Sequence, residues 1–295
     1  ILGVPYVVAT TSGSTALLMA MMACGIGPGD EVILPSRTWI ATPHAVLMAG
    51  AKPVLVDCKP NLPIIDPDAI ESSITSRTRA IMPVHLNGRA ADMRTINAIA
   101  SKHGLCVIED AAQALCSRND IGLLGTQSSI GCFSLSVAKV ISTGQGGYLA
   151  TRDETLARRL DSMRTHGVTD LINANYGEMG FNFRFNDIQA SIGLVQLDRL
   201  PRRIEHMREL YRIYDEGLSD LPFVKLIPMN VDGGEIPNYI EVLCENRARL
   251  VDYLGKRGIQ TRPFHPDLNT AAHLHTARSF PNSQHFGENG LTLPS

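Results

Sequence analysis

Short apolar runs alternate with helical segments through the first part of this chain. The runs at 53–57 and 105–110 have the composition of buried strands, and the segments at 91–103 and 153–164 have that of helices. Strands that are apolar along their whole length are covered on both faces, as in parallel sheets with helical connections. The pattern therefore predicts an α/β fold with a mostly parallel central sheet and helices on both faces.

The length of 295 residues exceeds that of a typical single domain. A strand predicted at 237–243, a helix at 246–256 and a strand at 258–262 indicate a small α+β unit near the end of the chain. We therefore expect a large domain over residues 1–203 and a smaller C-terminal domain over residues 204–295, truncated at its end.

The composition is that of a globular protein with a large core. Hydrophobic residues make up 44% of the chain and the net charge is −2, which gives no reason to expect binding to nucleic acid or an anionic membrane. Six scattered cysteines indicate reduced thiols and no metal site, and no apolar run has the length of a membrane span. We expect a cytoplasmic protein, although the start at Ile1 leaves a removed targeting segment open.

A helix predicted to begin near Gly13 offers a site for a phosphate. Strong helix formers follow Gly13 and end at Gly25, so free backbone amides lie beside Gly13, Ser14 and Thr15. The N-terminus of a helix binds anions well. Ordinary N-capping by serine explains the same residues, and this motif alone leaves both interpretations open.

An aspartate ends one of the predicted strands. Asp110 stands at the carboxyl end of the run at 105–110, on the edge of a parallel sheet where ligands bind. Burying a carboxylate costs free energy unless a cation or a hydrogen-bond donor meets it, and a protonated heterocyclic nitrogen would serve. Gln113 lies one helical turn on, at the start of the following helix, and can point the same way. Capping of that helix explains Asp110 equally well.

Lys139 is a lone lysine among small and apolar neighbours. It follows Ser134 and Ser136 and precedes a glycine cluster at 144–147. Apolar surroundings disfavour the ammonium form, which frees the amine to attack a carbonyl and form a Schiff base. The alternative is a lysine whose stem packs on the core while its head reaches water.

One ligand explains these features together. Pyridoxal phosphate (PLP) needs a lysine for its aldehyde, a carboxylate for its ring nitrogen, a phosphate site, an aromatic partner for its ring and a donor for its phenolic oxygen. Trp39, the only tryptophan, stands where a predicted strand gives way to a helix, and it suits the aromatic partner as well as it suits a core anchor. The chain supplies these needs, in turn, with Lys139, Asp110, the turn of Gly13, Ser14 and Thr15 with Ser134, Trp39, and Gln113.

Several motifs along the chain point to one family. They are Ser12-Gly13-Ser14, the segment 25–33, Pro83-Val84-His85, Glu109-Asp110-Ala111-Ala112-Gln113-Ala114, Phe133-Ser134 with Lys139, Gly146-Gly147, and Gly180-Phe181-Asn182-Phe183-Arg184. In these motifs the chain resembles, over nearly its whole length, the PLP-dependent nucleotide-sugar aminotransferases of the DegT/DnrJ/EryC1/StrS group. The resemblance implies the fold type I architecture of aspartate aminotransferase.

The resemblance also implies which residues hold the cofactor. In this family's pattern Lys139 binds the aldehyde, Asp110 contacts the ring nitrogen, Gln113 contacts the phenolic oxygen, and Ser14, Thr15 and Ser134 hold the phosphate. Asn182 is expected to reach the phosphate in the neighbouring subunit. The implied assembly is a homodimer with shared active sites.

The implied reaction is a two-stage transamination. An amino-acid donor, glutamate by resemblance, gives its amino group to the cofactor, and a keto sugar on a nucleotide diphosphate accepts it. Lys139 is expected to move the proton, and Asp110 to keep the ring nitrogen protonated. The segment Asn182-Phe183-Arg184 resembles that of members which aminate the sugar at C4, for surface polysaccharide or other glycan biosynthesis.

Four further residues are candidates for binding the substrate: His85, Arg184, Arg262 and His265. Arginine and histidine suit phosphates and sugar hydroxyls, although a place on the surface or at an interface explains Arg184, Arg262 and His265 at least as well. His273 and His275 stand two apart near a loop, a pattern more typical of surface residues than of metal ligands.

The chain departs from the family's common pattern at Cys116, Leu135 and Gln145, where glycine, phenylalanine and glutamate are frequent. We expect these three positions to lie outside the cofactor set.

Three other functions are alternatives. A PLP-dependent sugar dehydratase or other lyase of this kind replaces the lysine with histidine, and this chain keeps Lys139. A catalytically silent regulator on the same fold is expected to have lost Lys139 or Asp110. No G-x-G-x-x-G motif follows the first strand, which argues against a dinucleotide-dependent oxidoreductase.

Overall fold

The computed structural model describes residues 1–168, 170, 172–173, 175–274 and 276–295. The strands are β1 Tyr6–Thr10, β2 Glu31–Pro35, β3 Lys52–Val56, β4 Cys58–Lys59, β5 Leu62–Ile65, β6 Thr78–Ile81, β7 Cys106–Asp110, β8 Ile130–Ser134, β9 Gly147–Thr151, β10 Lys225–Leu226, β11 Ile240–Leu243, β12 Arg262–Pro263 and β13 Gly290–Leu293. The α-helices are α1 Gly13–Ala23, α2 Ala41–Met48, α3 Pro67–Glu71, α4 Met93–His103, α5 Glu154–Met163, α6 Asp187–Leu218, α7 Arg247–Gly255 and α8 Pro281–Asn289.

A seven-stranded sheet forms the centre of the larger part, in the order β1-β9-β8-β7-β6-β2-β3. The five strands from β8 to β3 run parallel, and β9 is antiparallel to both of its neighbours. The prediction of a mostly parallel central sheet is therefore confirmed. Because parallel neighbours end at the same edge, Asp110 at the end of β7 and Ser134 at the end of β8 lie on one edge of the sheet.

Apolar side chains cover both faces of this sheet. On one face, Met19 and Met21 of α1 are fully buried in the core. On the other, Ile96 of α4 packs with Ile33 and Val107 of the sheet. Full burial of one such side chain stabilises the fold by about 1.5–3 kcal/mol. These two apolar layers hold in place the sheet edge that carries the polar residues.

The smaller part is built on an antiparallel sheet of four strands in the order β10-β11-β13-β12. Its core joins Ile240 and Val242 of β11 to Tyr211 of α6 and Leu250 of α7. Helix α6 continues through Pro201 and packs against both parts of the molecule. The domain boundary between residues 203 and 204 falls inside this helix and stays a prediction.

Two local expectations from the sequence are wrong. The strand predicted at 258–262 is reduced to β12, because Gly258 has a φ of 75° and forms the turn after α7. No helix follows Asp110, and the segment 111–117 forms turns. Within it Cys116 has a φ of 63°, a left-handed conformation that ends any helix.

In the part of the chain that the structure describes, no helix is long and apolar enough to cross a membrane. Across the same residues, no group of three or more histidine, cysteine or acidic side chains is arranged to hold a metal ion. The ring of His273 contacts that of His44, with 2.8 Å between the two Nε2 atoms. His275 lies outside the described residues.

Candidate active site

A cavity of about 220 Å³ opens where β7 and β8 end and α1 begins. It is lined by most of the residues predicted to bind the cofactor, namely Gly13, Ser14, Trp39, Asp110, Gln113, Ser134 and Lys139. Thr15 and Asn182 are not part of this lining. The edge of the sheet and the start of one helix thus bring together side chains from distant parts of the sequence.

Asp110 is a buried carboxylate at the base of the cavity. Its Oδ2 accepts a hydrogen bond of 2.8 Å from the Thr42 hydroxyl, and its Oδ1 accepts one of 3.1 Å from the Ala112 amide. Burial raises the pKa of Asp110, whereas these two hydrogen bonds and the charge of Lys139 lower it. A cation beside Asp110 would offset the cost of burying its charge. The carboxylate is therefore suited to hold a protonated ring nitrogen.

Lys139 lies on the turn that follows β8, where its amide donates to the Ser136 carbonyl at 3.1 Å. Burial lowers the pKa of the Lys139 ammonium, and the charge of Arg262 lowers it further, while Asp110 raises it. The neutral amine is thus more accessible than that of an exposed lysine, as a nucleophile requires. These surroundings fit the Schiff-base interpretation better than that of a lysine with its head in water.

The start of α1 provides the candidate phosphate site. A Cβ atom on Gly13 would lie 2.8 Å from the Cβ of Ser134, so the helix begins in direct contact with the end of β8. Thr15 instead completes a capping box with Ser12, in which the Thr15 amide donates to the Ser12 hydroxyl and the Thr15 hydroxyl accepts from the Ser12 amide. Ordinary capping therefore accounts for Thr15, while Gly13 and Ser14 face the cavity.

Trp39 and Gln113 line both this cavity and a smaller cleft beside it. The Trp39 side chain is 51% exposed, which rules out the core-anchor interpretation. Its ring meets that of His265 edge to face, with 4.6 Å between centroids. The Oε1 of Gln113 accepts a 2.7 Å hydrogen bond from the backbone N–H of Asn87.

The neighbouring cleft carries charged side chains of both signs. Arg37, Arg262 and His265 line it together with Tyr239 and Glu241. Burial lowers the pKa of His265, and the charges of Arg262 and Arg37 lower it further. Arg37 is already paired with Asp267, so Arg262 is the guanidinium of this cleft that is better placed to meet an anionic part of a ligand.

Three predicted site residues lie elsewhere. His85 is fully buried behind the cavity, where its Nε2 bonds Glu109 Oε2 at 2.8 Å and its Nδ1 accepts from the Ala91 amide. Its expected contact with substrate is therefore contradicted, because no part of its surface is accessible. Asn182 and Arg184 are exposed, and Arg184 Nε donates to Asn182 Oδ1 at 3.0 Å. Neither lines the cavity of its own chain.

Sequence reasoning missed residues that the fold brings to the site. Thr42 lies in the first turn of α2, three residues after Trp39, and both line the cavity. Gln145 also lines the cavity, beside the predicted cofactor residues. Asn87 and Tyr239 had no local signal, since only tertiary structure brings them near Gln113 and Lys139.

The sequence model of the DegT/DnrJ/EryC1/StrS aminotransferase family matches residues 1–295. The chain belongs to this family. It is 37% identical to GDP-perosamine synthase of Caulobacter vibrioides, over 99% of this chain and 81% of that protein. It is 36% identical to dTDP-3-amino-3,4,6-trideoxy-alpha-D-glucose transaminase of Streptomyces venezuelae, over 98% of this chain and 77% of that protein.

Solved structures share the fold. The S. venezuelae protein DesV, determined in complex with a ketimine intermediate, superposes with a TM-score of 0.94 at 35% identity, over 99% of this chain and 80% of that chain. The predicted family and the fold-type-I architecture are confirmed, and with them a PLP-dependent sugar aminotransferase. The dehydratase and oxidoreductase alternatives do not agree with these relatives.

Substituting Gly13→Ala should weaken cofactor binding, since the new methyl group collides with Ser134 at the phosphate site. Overpacking costs about 1–3 kcal/mol. A loss of binding free energy of this size raises the Kd for PLP roughly 5- to 150-fold, which a fluorescence titration measures. Gly217→Ala is the matched control, because a Cβ there meets open space. An unchanged Kd for Gly13→Ala would contradict the phosphate site.

Substituting Thr42→Val should remove the hydroxyl that stabilises the ionised form of Asp110. The pKa of Asp110 then rises further, so the acidic limb of the pH–activity profile moves to higher pH, and kcat/KM at neutral pH falls roughly tenfold. Thr151→Val is the control, since that buried hydroxyl serves only the Ser129 carbonyl and the Asp153 amide. Equal profiles for both variants would refute this role of Thr42.

Proposed function

We propose that the chain moves the amino group of an amino acid, glutamate, to a keto-deoxysugar carried on a nucleoside diphosphate, as a step in polysaccharide or other glycan biosynthesis. The observation that carries the proposal is the meeting of a buried carboxylate, Asp110, and a half-buried amine, Lys139, in one cavity beside the start of α1. The two relatives described above are both named for nucleotide-linked sugars, which supports this class of substrate.

The residues present fit PLP. Lys139 supplies the amine for the aldehyde and Asp110 the carboxylate for the ring nitrogen, while Trp39 offers an aromatic face and Gln113 a donor. Gly13, Ser14 and Ser134 surround the place for the phosphate. When bound, the cofactor supplies an electron sink and carries the amino group between donor and acceptor.

The chain's own groups then perform the proton transfers. Asp110 holds the proton on the ring nitrogen, since its buried carboxylate gains most from a cationic partner. Lys139 Nζ takes the proton from the α-carbon of the amino donor, because its lowered pKa leaves the amine free to act as a base. The same amine returns a proton when the keto sugar is converted to the amino sugar.

We place the anionic end of the substrate in the cleft beside the cavity. Arg262 and His265 line this cleft, and guanidinium groups bind phosphate oxygens well. We further propose amination at C4, from the segment Asn182-Phe183-Arg184. The S. venezuelae relative carries a 3-amino group in the name of its product, so C3 is the competing position.

We propose a homodimer in which Asn182 completes the partner's site. Asn182 and Arg184 are exposed and lie outside their own chain's cavity. The N-terminal half of α6 also presents exposed apolar side chains, and contiguous apolar surface of this kind marks interfaces. These side chains are Ile188, Ile192, Leu194, Val195 and Leu197.

The first test is the absorption spectrum of the PLP-loaded protein. We expect a visible band that moves to shorter wavelength when glutamate is added, and we expect Lys139→Ala to lack the lysine-linked band and to lose activity at least about 10³-fold. Lys256→Ala is the control, since that lysine is exposed and pairs only with Asp252. A Lys139→Ala protein with the wild-type spectrum and turnover would overturn the proposal.

Shared active sites predict complementation between two inactive variants. A hybrid of Lys139→Ala and Asn182→Ala subunits has one site with neither change, so co-expression at equal levels should restore about a quarter of wild-type activity. If Asn182 acts within its own chain, one site of each hybrid lacks Lys139 and the other lacks Asn182. The mixture then stays inactive. Activity on nucleotide keto sugars with the keto group at C3 or C4 then decides the position.

A further inference from the structure

Asn87 adopts an unusual conformation beside the active site. It lies in a 3-10 turn, Leu86–Gly88, with φ of 57° and ψ of 25°, and it is fully buried. The left-handed region costs a non-glycine residue free energy, although asparagine tolerates it better than most residues. A strained and buried polar residue persists only when its surroundings hold it in place.

One side of Asn87 fixes the cofactor-facing Gln113. The backbone N–H of Asn87 donates to Gln113 Oε1 at 2.7 Å. A backbone N–H is only ever a donor, so the oxygen of the Gln113 amide must face Asn87. The Nε2 end, which has no hydrogen-bond partner among the residues described, is then left to donate into the cavity.

The side chain of Asn87 binds residues 238 and 239, a short segment that leads into β11 and is called the strap below. Its Oδ1 accepts from the amides of Asn238 and Tyr239 at 3.0 and 2.6 Å, and its Nδ2 donates to the Tyr239 carbonyl at 2.9 Å. All three of these side-chain hydrogen bonds therefore join Asn87 to two consecutive residues. The strap therefore cannot move without breaking bonds to Asn87.

The same strap holds the backbone next to Lys139. Asn238 Nδ2 and the Tyr239 hydroxyl both donate to the Ala138 carbonyl, each at 3.2 Å. The Tyr239 ring also lies 5.0 Å from the Arg262 guanidinium, on the side of the anionic cleft. One connected set of hydrogen bonds thus runs from Gln113 through Asn87 to the carbonyl that precedes Lys139.

We propose that Asn87 is a positioning residue, which sets the amide of Gln113 as a donor to the cofactor's phenolic oxygen and, through Asn238 and Tyr239, fixes the turn that carries Lys139. The proposal rests on the proposed function, in which Gln113 meets that oxygen and Lys139 meets the aldehyde. Asn87 itself touches neither group. Its effect must therefore appear in the properties of Gln113 and Lys139.

The experiment follows the visible band of the PLP-loaded protein as a function of pH. An N–H donor stabilises the anionic form of the phenolic oxygen. When the donor is lost, the pKa of the proton shared between this oxygen and the lysine nitrogen rises. The midpoint of the spectral transition then rises. We expect Gln113→Leu to raise it by about half a pH unit or more. Asn87→Ala and Asn87→Gly should raise it by less, because the backbone N–H of residue 87 remains and only the side-chain bonds that hold the turn are lost. Asn87→Gly keeps the left-handed backbone accessible and removes only the side chain.

Two comparisons separate positioning from mere stability. The double variant Asn87→Gly with Gln113→Leu should have the same midpoint as Gln113→Leu alone, because Asn87 acts on this oxygen through Gln113. Ser117→Ala removes the two hydrogen bonds between the Ser117 hydroxyl and the backbone of Ile236, which precedes the strap, and it leaves the bonds to Gln113 and Ala138 intact. It should lower Tm and leave the midpoint unchanged. The other charged groups around the cavity are the same in every variant: Arg37, Asp110, Lys139, Glu241, Arg262 and His265.

The outcomes are distinct. Wild-type midpoints for both Asn87 variants, or shifts that add in the double variant, overturn the inference while the proposed function stands. An unchanged midpoint for Gln113→Leu shows that Gln113 does not meet the phenolic oxygen, and the inference falls with that contact. If the Asn87 variants do not fold, Tyr239→Phe tests the second link, since it removes one of the two donors to Ala138. A severalfold rise in the Kd for PLP supports that link, and an unchanged Kd refutes it.

Discussion

The carboxylate of Asp110 is the constraint on which the rest of the site depends. It stands at the end of a buried strand, β7, and its charge is stabilised by one hydroxyl and one amide within the protein. A buried anion attracts a cation strongly, and the lowered pKa of Lys139 shows that the lysine supplies that charge only at a cost. Under the proposed function, a cofactor with a protonated ring nitrogen would pair with Asp110 and offset the cost of burying its charge.

The small part of the molecule takes a direct role in this site. Its strap at Asn238 and Tyr239 fixes the Ala138 carbonyl beside the reactive lysine. A second tie, the buried pair of Arg89 and Glu241, joins the turn after Asn87 to β11, with 2.5 Å between Nη1 and Oε2. Removing one partner of such a pair leaves an unpaired buried charge. The two parts are thus held together by the same turn that orients Gln113.

Local pattern was a good guide to elements and a weaker guide to contacts. Asp153 and Asn186 cap α5 and α6 as short-range chemistry requires, since a capping side chain bonds amides two or three residues away. The segment after Asp110 has the alanines of a helix, but the turn through Cys116 prevents one, and the Gln113 side chain is fixed by Asn87 instead. His85 carries a family motif, yet Glu109 and the Ala91 amide occupy its ring within the protein.

The sequence by itself determined the α/β class and the family, and it singled out most of the residues that line the cavity, because apolar periodicity and the motifs around Asp110 and Lys139 are local properties of the chain. The tertiary structure alone decided which polar groups meet. Thr42 reaches Asp110, Asn87 reaches Gln113, and Tyr239 reaches Ala138 only after strands and domains have packed. Each of these is a hydrogen bond between residues far apart in the chain, and its existence depends on distances of about 3 Å that packing alone sets.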